Sequence, residues 1–363
     1  MVDRDIEETA MDLKTLLDTP PWDWPTDAGR TFARILADHH ASESDRLVAA
    51  ELAGDFTVIN NDLADMLLTI AGSADEPEQL RARAAISLGP VLEQADTDGF
   101  EDPDDIPITE ATFHNIQNSL AKVYRDKSTP KEVRRRILEA SVRAPQIWHQ
   151  DAIRHAYCSG DKDWVLTAVF SMRWVRGFDD QILQALKSED PEINYQAVIA
   201  AGNWELDGAW PHIVELVHDA LCSKPLLLAA IGALSCIRPV EARNILEDLA
   251  QSDDEEIAEA VSEAMAATEG PTGEEGDEED EWVNCSMRSR ESGLCRRGRL
   301  SRRVPKGAAT WESDLFRLSW TIGIAARNGV HGHTQSDIAH ASTVSLSGAL
   351  NPSAALANCR EIP

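Results

Sequence analysis

The chain has 363 residues and a formal net charge of −29; 43% of it is hydrophobic but only 6% aromatic. That composition excludes an aromatic-rich barrel or sandwich and suits an all-α fold packed through Ala and Leu. The charge is uneven: residues 285–363 carry about +6, leaving about −35 on residues 1–284, a body that repels phosphate and anionic membrane and disfavours nucleic acid as a partner.

The segment Met1 to Glu8 is acidic and lacks the apolar stretch a signal peptide needs. The longest apolar run, Leu226 to Ile237, is too short to span a bilayer. The six cysteines form no Cys-x-x-Cys pair, which fits a cytoplasmic protein with cysteines as small core residues.

Residues 1–41 read as one or two amphipathic helices interrupted by Thr19-Pro20-Pro21-Trp22-Asp23-Trp24-Pro25. A helix follows with Ala49, Ala50, Leu52, Ala53 and Gly54, an atypical first copy of a repeat that acts as the N-terminal cap. The clearest copy is Asp75-Glu76-Pro77 before Leu80-Arg81-Ala82-Arg83-Ala84-Ala85-Ile86-Ser87-Leu88-Gly89. Apolar anchors equivalent to Leu80 fall at Val133, Trp164, Ile193, Leu226 and Ile257, and four residues further sit Ala84, Ile137, Ala168, Ala197, Ala230 and Val261. From Val133 onward the anchors recur about every 30 residues, the period of a helical hairpin that must stack on its neighbours to bury its apolar face. First helices are expected near 109–126, 146–158, 178–188, 207–222 and 239–251. Thr129-Pro130-Lys131-Glu132 and Ser252-Asp253-Asp254-Glu255 read as capping boxes opening second helices.

The wider step from Leu80 to Val133 is an acidic insertion over Glu93–Glu110. Its Asp96-Thr97-Asp98-Gly99 run places Gly too early for an EF-hand, so a solvated acidic loop is expected. After Met265 the pattern stops. Residues 1–268 are thus an α-solenoid, 269–284 an acidic linker that cannot bury a core, and 285–363 an Arg/Ser/Ala-rich disordered tail. The abrupt change reads either as a basic interaction tail or as sequence translated out of frame or past the usual stop, and its abruptness favours the latter.

The Leu-Arg-x-x-Ala-Ala-x-x-Leu-Gly pattern of Leu80–Gly89 resembles HEAT repeats, in particular the short form of phycobilisome lyase-like proteins. The resemblance spans about residues 27–268 and implies an α-solenoid scaffold, with bilin lyase or chromophore chaperone activity as the enzymatic alternative. HEAT-type deoxyhypusine hydroxylases hold two irons through His-Glu pairs, and no His-Glu dipeptide occurs in this chain. HEAT-like DNA glycosylases need a basic groove, which the acidic body opposes.

No Gly-rich phosphate loop, nucleophile elbow or paired catalytic carboxylate stands out, and no cofactor or catalytic residue is implied. His155 and Cys158 lie three apart on an expected helix with His149 and Asp151 upstream, but the spacing puts His149 and Cys158 on different faces, which favours a half-buried His and a core Cys over a metal site. The positions facing mostly away from each buried stripe are expected to form an inner lining that binds a protein partner: Arg83, Arg136, Arg143, Phe170, Arg173, Trp174, Tyr195 and Gln196, with Ile86, Glu139 and Thr167 among them. An acidic or mixed-charge segment is the expected ligand. Glu132/Arg136 and Arg135/Glu139 read as ordinary helix-surface pairs.

Overall fold

The structure is a computed structural model and describes residues 12–100 and 106–268. The expected linker 269–284 and tail 285–363 lie outside the described residues. Helix α1 (Leu13–Asp18) and a 3₁₀ turn at Pro21–Asp23 lead into a hairpin of α2 (Ala28–Ala37) and α3 (Glu43–Leu52). The next hairpin joins α4 (Asn61–Gly72) to α5 (Glu78–Ser87), and α6 (Gly89–Asp98) follows directly. Helix α7 (Glu110–Arg125) pairs with α8 (Lys131–Ser141), and α9 (Ile147–Tyr157) with α10 (Lys162–Ser171). The series continues with α11 (Asp179–Ala185) and α12 (Pro191–Asn203), α13 (Trp210–His218) and α14 (Lys224–Ile237), then α15 (Pro239–Leu249) and α16 (Glu255–Thr268). This is an all-α solenoid, and among the described residues no helix is long and apolar enough to cross a membrane.

Helix starts follow local chemistry. Ser42, Asn60, Thr109, Asp161 and Asp190 each accept a hydrogen bond from a first-turn amide. The two expected capping boxes are built differently. Thr129 is buried and its hydroxyl donates to the Val123 carbonyl at 3.0 Å, leaving Pro130 at the N-cap. Asp254, rather than Ser252, caps α16 by accepting from the Glu256 and Ile257 amides at 3.1 and 3.4 Å. The insertion also differs from expectation: Glu93 to Asp98 are helical, and α6 packs on α8.

The second helices of the hairpins, α3, α5, α8, α10, α12, α14 and α16, pack laterally each on the next. Beyond α7 the first helices approach one another far less closely, so the second-helix row follows the shorter path of the stack. Small residues permit this. Ala84, Ile137, Ala168, Ala197, Ala230 and Val261 are all buried, as the repeat predicts, although the anchors Trp164, Leu226 and Ile257 are only half-buried. At Gly202 an added Cβ would lie 3.0 Å from the Ala233 Cα, and at Gly54 it would lie 2.3 Å from the Ser87 carbonyl oxygen. Ion pairs mark the same register: Lys131 meets Asp161, Lys162 meets Asp190 and Lys224 meets Asp254, each tying the start of one second helix to the N-cap of the next.

Two cysteines expected in the core are not there. Cys222 is half-buried and Cys236 exposed.

Candidate partner-binding surface

The second-helix row carries its charges as a ladder. Arg83 on α5 pairs with Glu51 on α3. On α8, Arg136 donates to Glu132 at 2.8 Å and to Glu139 at 2.6 Å. Arg135 donates to Glu132 at 2.8 Å and to the Thr167 hydroxyl on α10 at 3.0 Å, and that hydroxyl donates to Glu139 at 2.6 Å. Arg135, Glu139 and Thr167 are buried, so this network is an inter-repeat joint and not the set of surface pairs expected from helix spacing. The Arg83 side chain is 11% exposed and that of Arg136 17%, and burial lowers the Arg83 pKa, with the neighbouring Arg136 charge acting in the same direction.

A second cluster forms where α8 and α10 end. Arg143 donates to Glu93 on α6 at 2.9 Å, and its guanidinium stands 5.8 Å from the Phe170 ring centre and 5.2 Å from that of Trp174. Trp174 donates its indole N–H to Glu93 at 3.2 Å. Arg173 covers the same two rings at 5.5 and 4.7 Å. Gly89 makes room for this arrangement, because a Cβ there would lie 2.9 Å from the Arg143 Nε.

The expected lining residues therefore divide. Arg83, Arg136, Arg143, Arg173, Tyr195 and Gln196 are half-buried along the row. Phe170 and Trp174 are buried, as are Ile86, Glu139 and Thr167, which corrects their placement on an open surface. The cause is the close lateral packing of second helices, which buries the flanks of each stripe as well as its centre. Buried Phe170 and Trp174 instead form the platform beneath the guanidinium groups of Arg143 and Arg173.

Glu93 is the residue that sequence reasoning missed, since it was assigned to a solvated loop. Its signal was the helix-compatible run Pro90 to Ala95, which continues the helical pattern past Gly89. The His149 region also differs from expectation. His149 is fully buried, accepts the Gln146 amide at Nδ1 (2.8 Å) and so places its proton on Nε2, 3.0 Å from the Ser141 hydroxyl. His155 is exposed and Cys158 half-buried, and among the described residues no group of three His, Cys, Asp or Glu could hold a metal ion.

Residues 180–266, spanning α11 to α16, match the HEAT repeats family. No curated protein matches the chain. Solved structures similar to it include human deoxyhypusine hydroxylase in complex with glycerol, 15% identical, covering 71% of this chain and 96% of that one at a TM-score of 0.32. The Escherichia coli protein YibA is 14% identical and covers 72% of this chain and 98% of its own at a TM-score of 0.38. A designed armadillo repeat protein is 15% identical, with 65% and 98% covered at a TM-score of 0.29.

Proposed function

We propose that this chain is a non-catalytic, cytoplasmic protein-interaction scaffold whose partner lies along the second-helix row. The observation that carries this reading is the run of partly accessible Arg83, Arg136, Arg143, Arg173, Tyr195 and Gln196 on one row of the stack, in a body that is otherwise strongly acidic. Tyr and Arg combine large contact area with directed hydrogen bonds. Arg83, Arg136 and Arg143 each already face a carboxylate, so a mixed-charge segment, able to exchange with both signs, fits better than a purely acidic one.

The test replaces Arg136, Arg173 and Tyr195 together by Ala and compares proteins captured from the native host, identified by mass spectrometry. Loss of a specific protein at unchanged helicity supports the row as the binding face. Unchanged capture moves the site elsewhere.

A second reading is the phycobilisome lyase-like one, favoured by the Leu80–Gly89 pattern, most of whose residues lie in α5, the second helix of the row. It predicts that the purified protein alters the absorbance of an added bilin, which a scaffold leaves unchanged.

A further inference from the structure

Between the C-terminal end of α7 and the first two turns of α9 the surface opens into a groove of about 410 Å³, walled also by α8. Its floor is aromatic. The Tyr124 and Trp148 rings lie 5.0 Å apart, and Trp164 stands edge-on to Tyr124 at 6.5 Å. Two guanidinium groups lie on these rings: Arg125 is 5.6 Å from the Trp148 centre, and Arg134 is 5.1 Å from Tyr124 and 5.6 Å from Trp164. Arg134 is further fixed by donating its Nε to the Tyr124 carbonyl at 3.0 Å.

These arginines differ from those of the ion-pair ladder. Arg83, Arg135, Arg136 and Arg143 each face a carboxylate, whereas Arg125 and Arg134 have none within ion-pair distance among the described residues. The one carboxylate on the groove wall, Asp151, is held by Arg154 at 2.9 Å. A guanidinium stacked on a ring keeps its in-plane N–H donors pointing outward, so the pair is pre-set to receive carboxylate oxygens. At the lip, Ile147 is 98% exposed beside half-buried Trp148, which offers apolar contact next to the cationic pair.

We propose that this α7–α9 groove is a docking site for a short acidic segment of a partner protein, with its carboxylates on Arg125 and Arg134 and an apolar side chain against Trp148 and Ile147. Charge complementarity selects the occupant. The groove has room for a few side chains only, and the surrounding negative field opposes an extended polyanion while a short segment contacts the two cations locally. The groove borders α8 but includes none of Arg83, Arg136, Arg143, Arg173, Tyr195 and Gln196.

The test uses the full chain and a fluorescein-labelled, end-blocked peptide of alternating Glu and Leu, read by anisotropy. Binding is expected to saturate, to weaken with salt, and to fall about tenfold or more in the Arg125→Ala/Arg134→Ala double variant. Since Arg134 also supports the α7 end, Arg125→Gln provides a check at an exposed position, with an expected loss of several-fold. Equal binding of a peptide with every Glu replaced by Gln, undiminished binding by the variants, or no saturable binding up to about millimolar peptide overturns the proposal. Displacement by equimolar inorganic phosphate also overturns it, by reassigning the pair to phosphoryl groups. Loss of binding in Arg136→Ala/Arg173→Ala, with Arg125→Gln unaffected, would place the acidic segment on the second-helix row instead.

Discussion

Glu93 and Trp174, separated by 81 positions, are joined by a 3.2 Å hydrogen bond from the indole N–H to the carboxylate. The same carboxylate holds Arg143, so one side chain on α6 fixes the ends of two later second helices. Glu93→Ala is expected to cost about 1 kcal/mol, since the carboxylate is partly solvated. Trp174→Phe should cost less than the sum suggests once Glu93 is gone, with a coupling of about 0.5 kcal/mol or more in a double-mutant cycle followed by urea unfolding. Strict additivity would show that the contact does not form in solution.

Two glycines separate backbone from side-chain tolerance. At Gly54 an added Cβ would press on the Ser87 carbonyl oxygen at 2.3 Å and its carbonyl carbon at 3.0 Å, neither of which can move without shifting α5. Gly54→Ala should destabilise by roughly 2–3 kcal/mol and expose α2–α5 to hydrogen exchange ahead of the remaining repeats, because solenoid stability is a sum of local terms. At Gly89 the obstruction is the flexible Arg143 side chain, so Gly89→Ala should change stability by less than ~1 kcal/mol while displacing that guanidinium. Equal effects at both positions would contradict this.

The solenoid was legible because its signal is periodic and local. Ala84, Ala168, Ala197 and Ala230 recur at one place in each hairpin, and packing of neighbouring repeats needs small residues there. The binding row was legible only in part. Helical spacing places Phe170 and Trp174 away from the anchor stripe, but it cannot express how closely the adjacent second helices approach, and that approach buries both rings. Contacts such as Glu93 to Trp174, or Tyr124 to Trp148, join residues from different hairpins, so no window of sequence contains them.

Two cations on α8 that reach α10 should differ sharply in worth. Lys131 bridges to Asp161 and Asp163 from a side chain 43% exposed, and Lys131→Ala should cost less than ~0.5 kcal/mol. Arg135 is 5% exposed and lies between Glu132, Glu139 and Thr167; removing it takes a buried cation from two carboxylates and the N–H donor from the buried Thr167 hydroxyl. Arg135→Ala is expected to cost about 2–4 kcal/mol, and Arg135→Met less, because it keeps the volume filled. Urea midpoints at low and high salt decide the matter: the Arg135 loss should persist at high salt, and any Lys131 effect should vanish.

The last prediction concerns acid. Burial pushes the His149 imidazole down to about 3, with the Arg125 charge acting in the same sense, and the amide donated to Nδ1 needs the lone pair of the neutral ring. Burial also lowers His212. In the unfolded chain a histidine protonates near pH 6.5, whereas folded His149 stays neutral until about pH 3. Its contribution is therefore fully present above pH 6.5 and is lost as pH falls towards 3, with a slope of up to about 1.4 kcal/mol per pH unit. Carboxylates held low by hydrogen bonds, such as Glu76 by Arg46, add their own loss only below about pH 4.5, which leaves the interval from 6.5 to 4.5 to the buried histidines. His149→Gln should lower stability at pH 8, where the bonds to Gln146 and Ser141 are weakened, yet flatten the decline between pH 6.5 and 4.5, leaving the contribution of His212. A variant with an undiminished slope across that interval would show that His149 titrates normally in the folded protein.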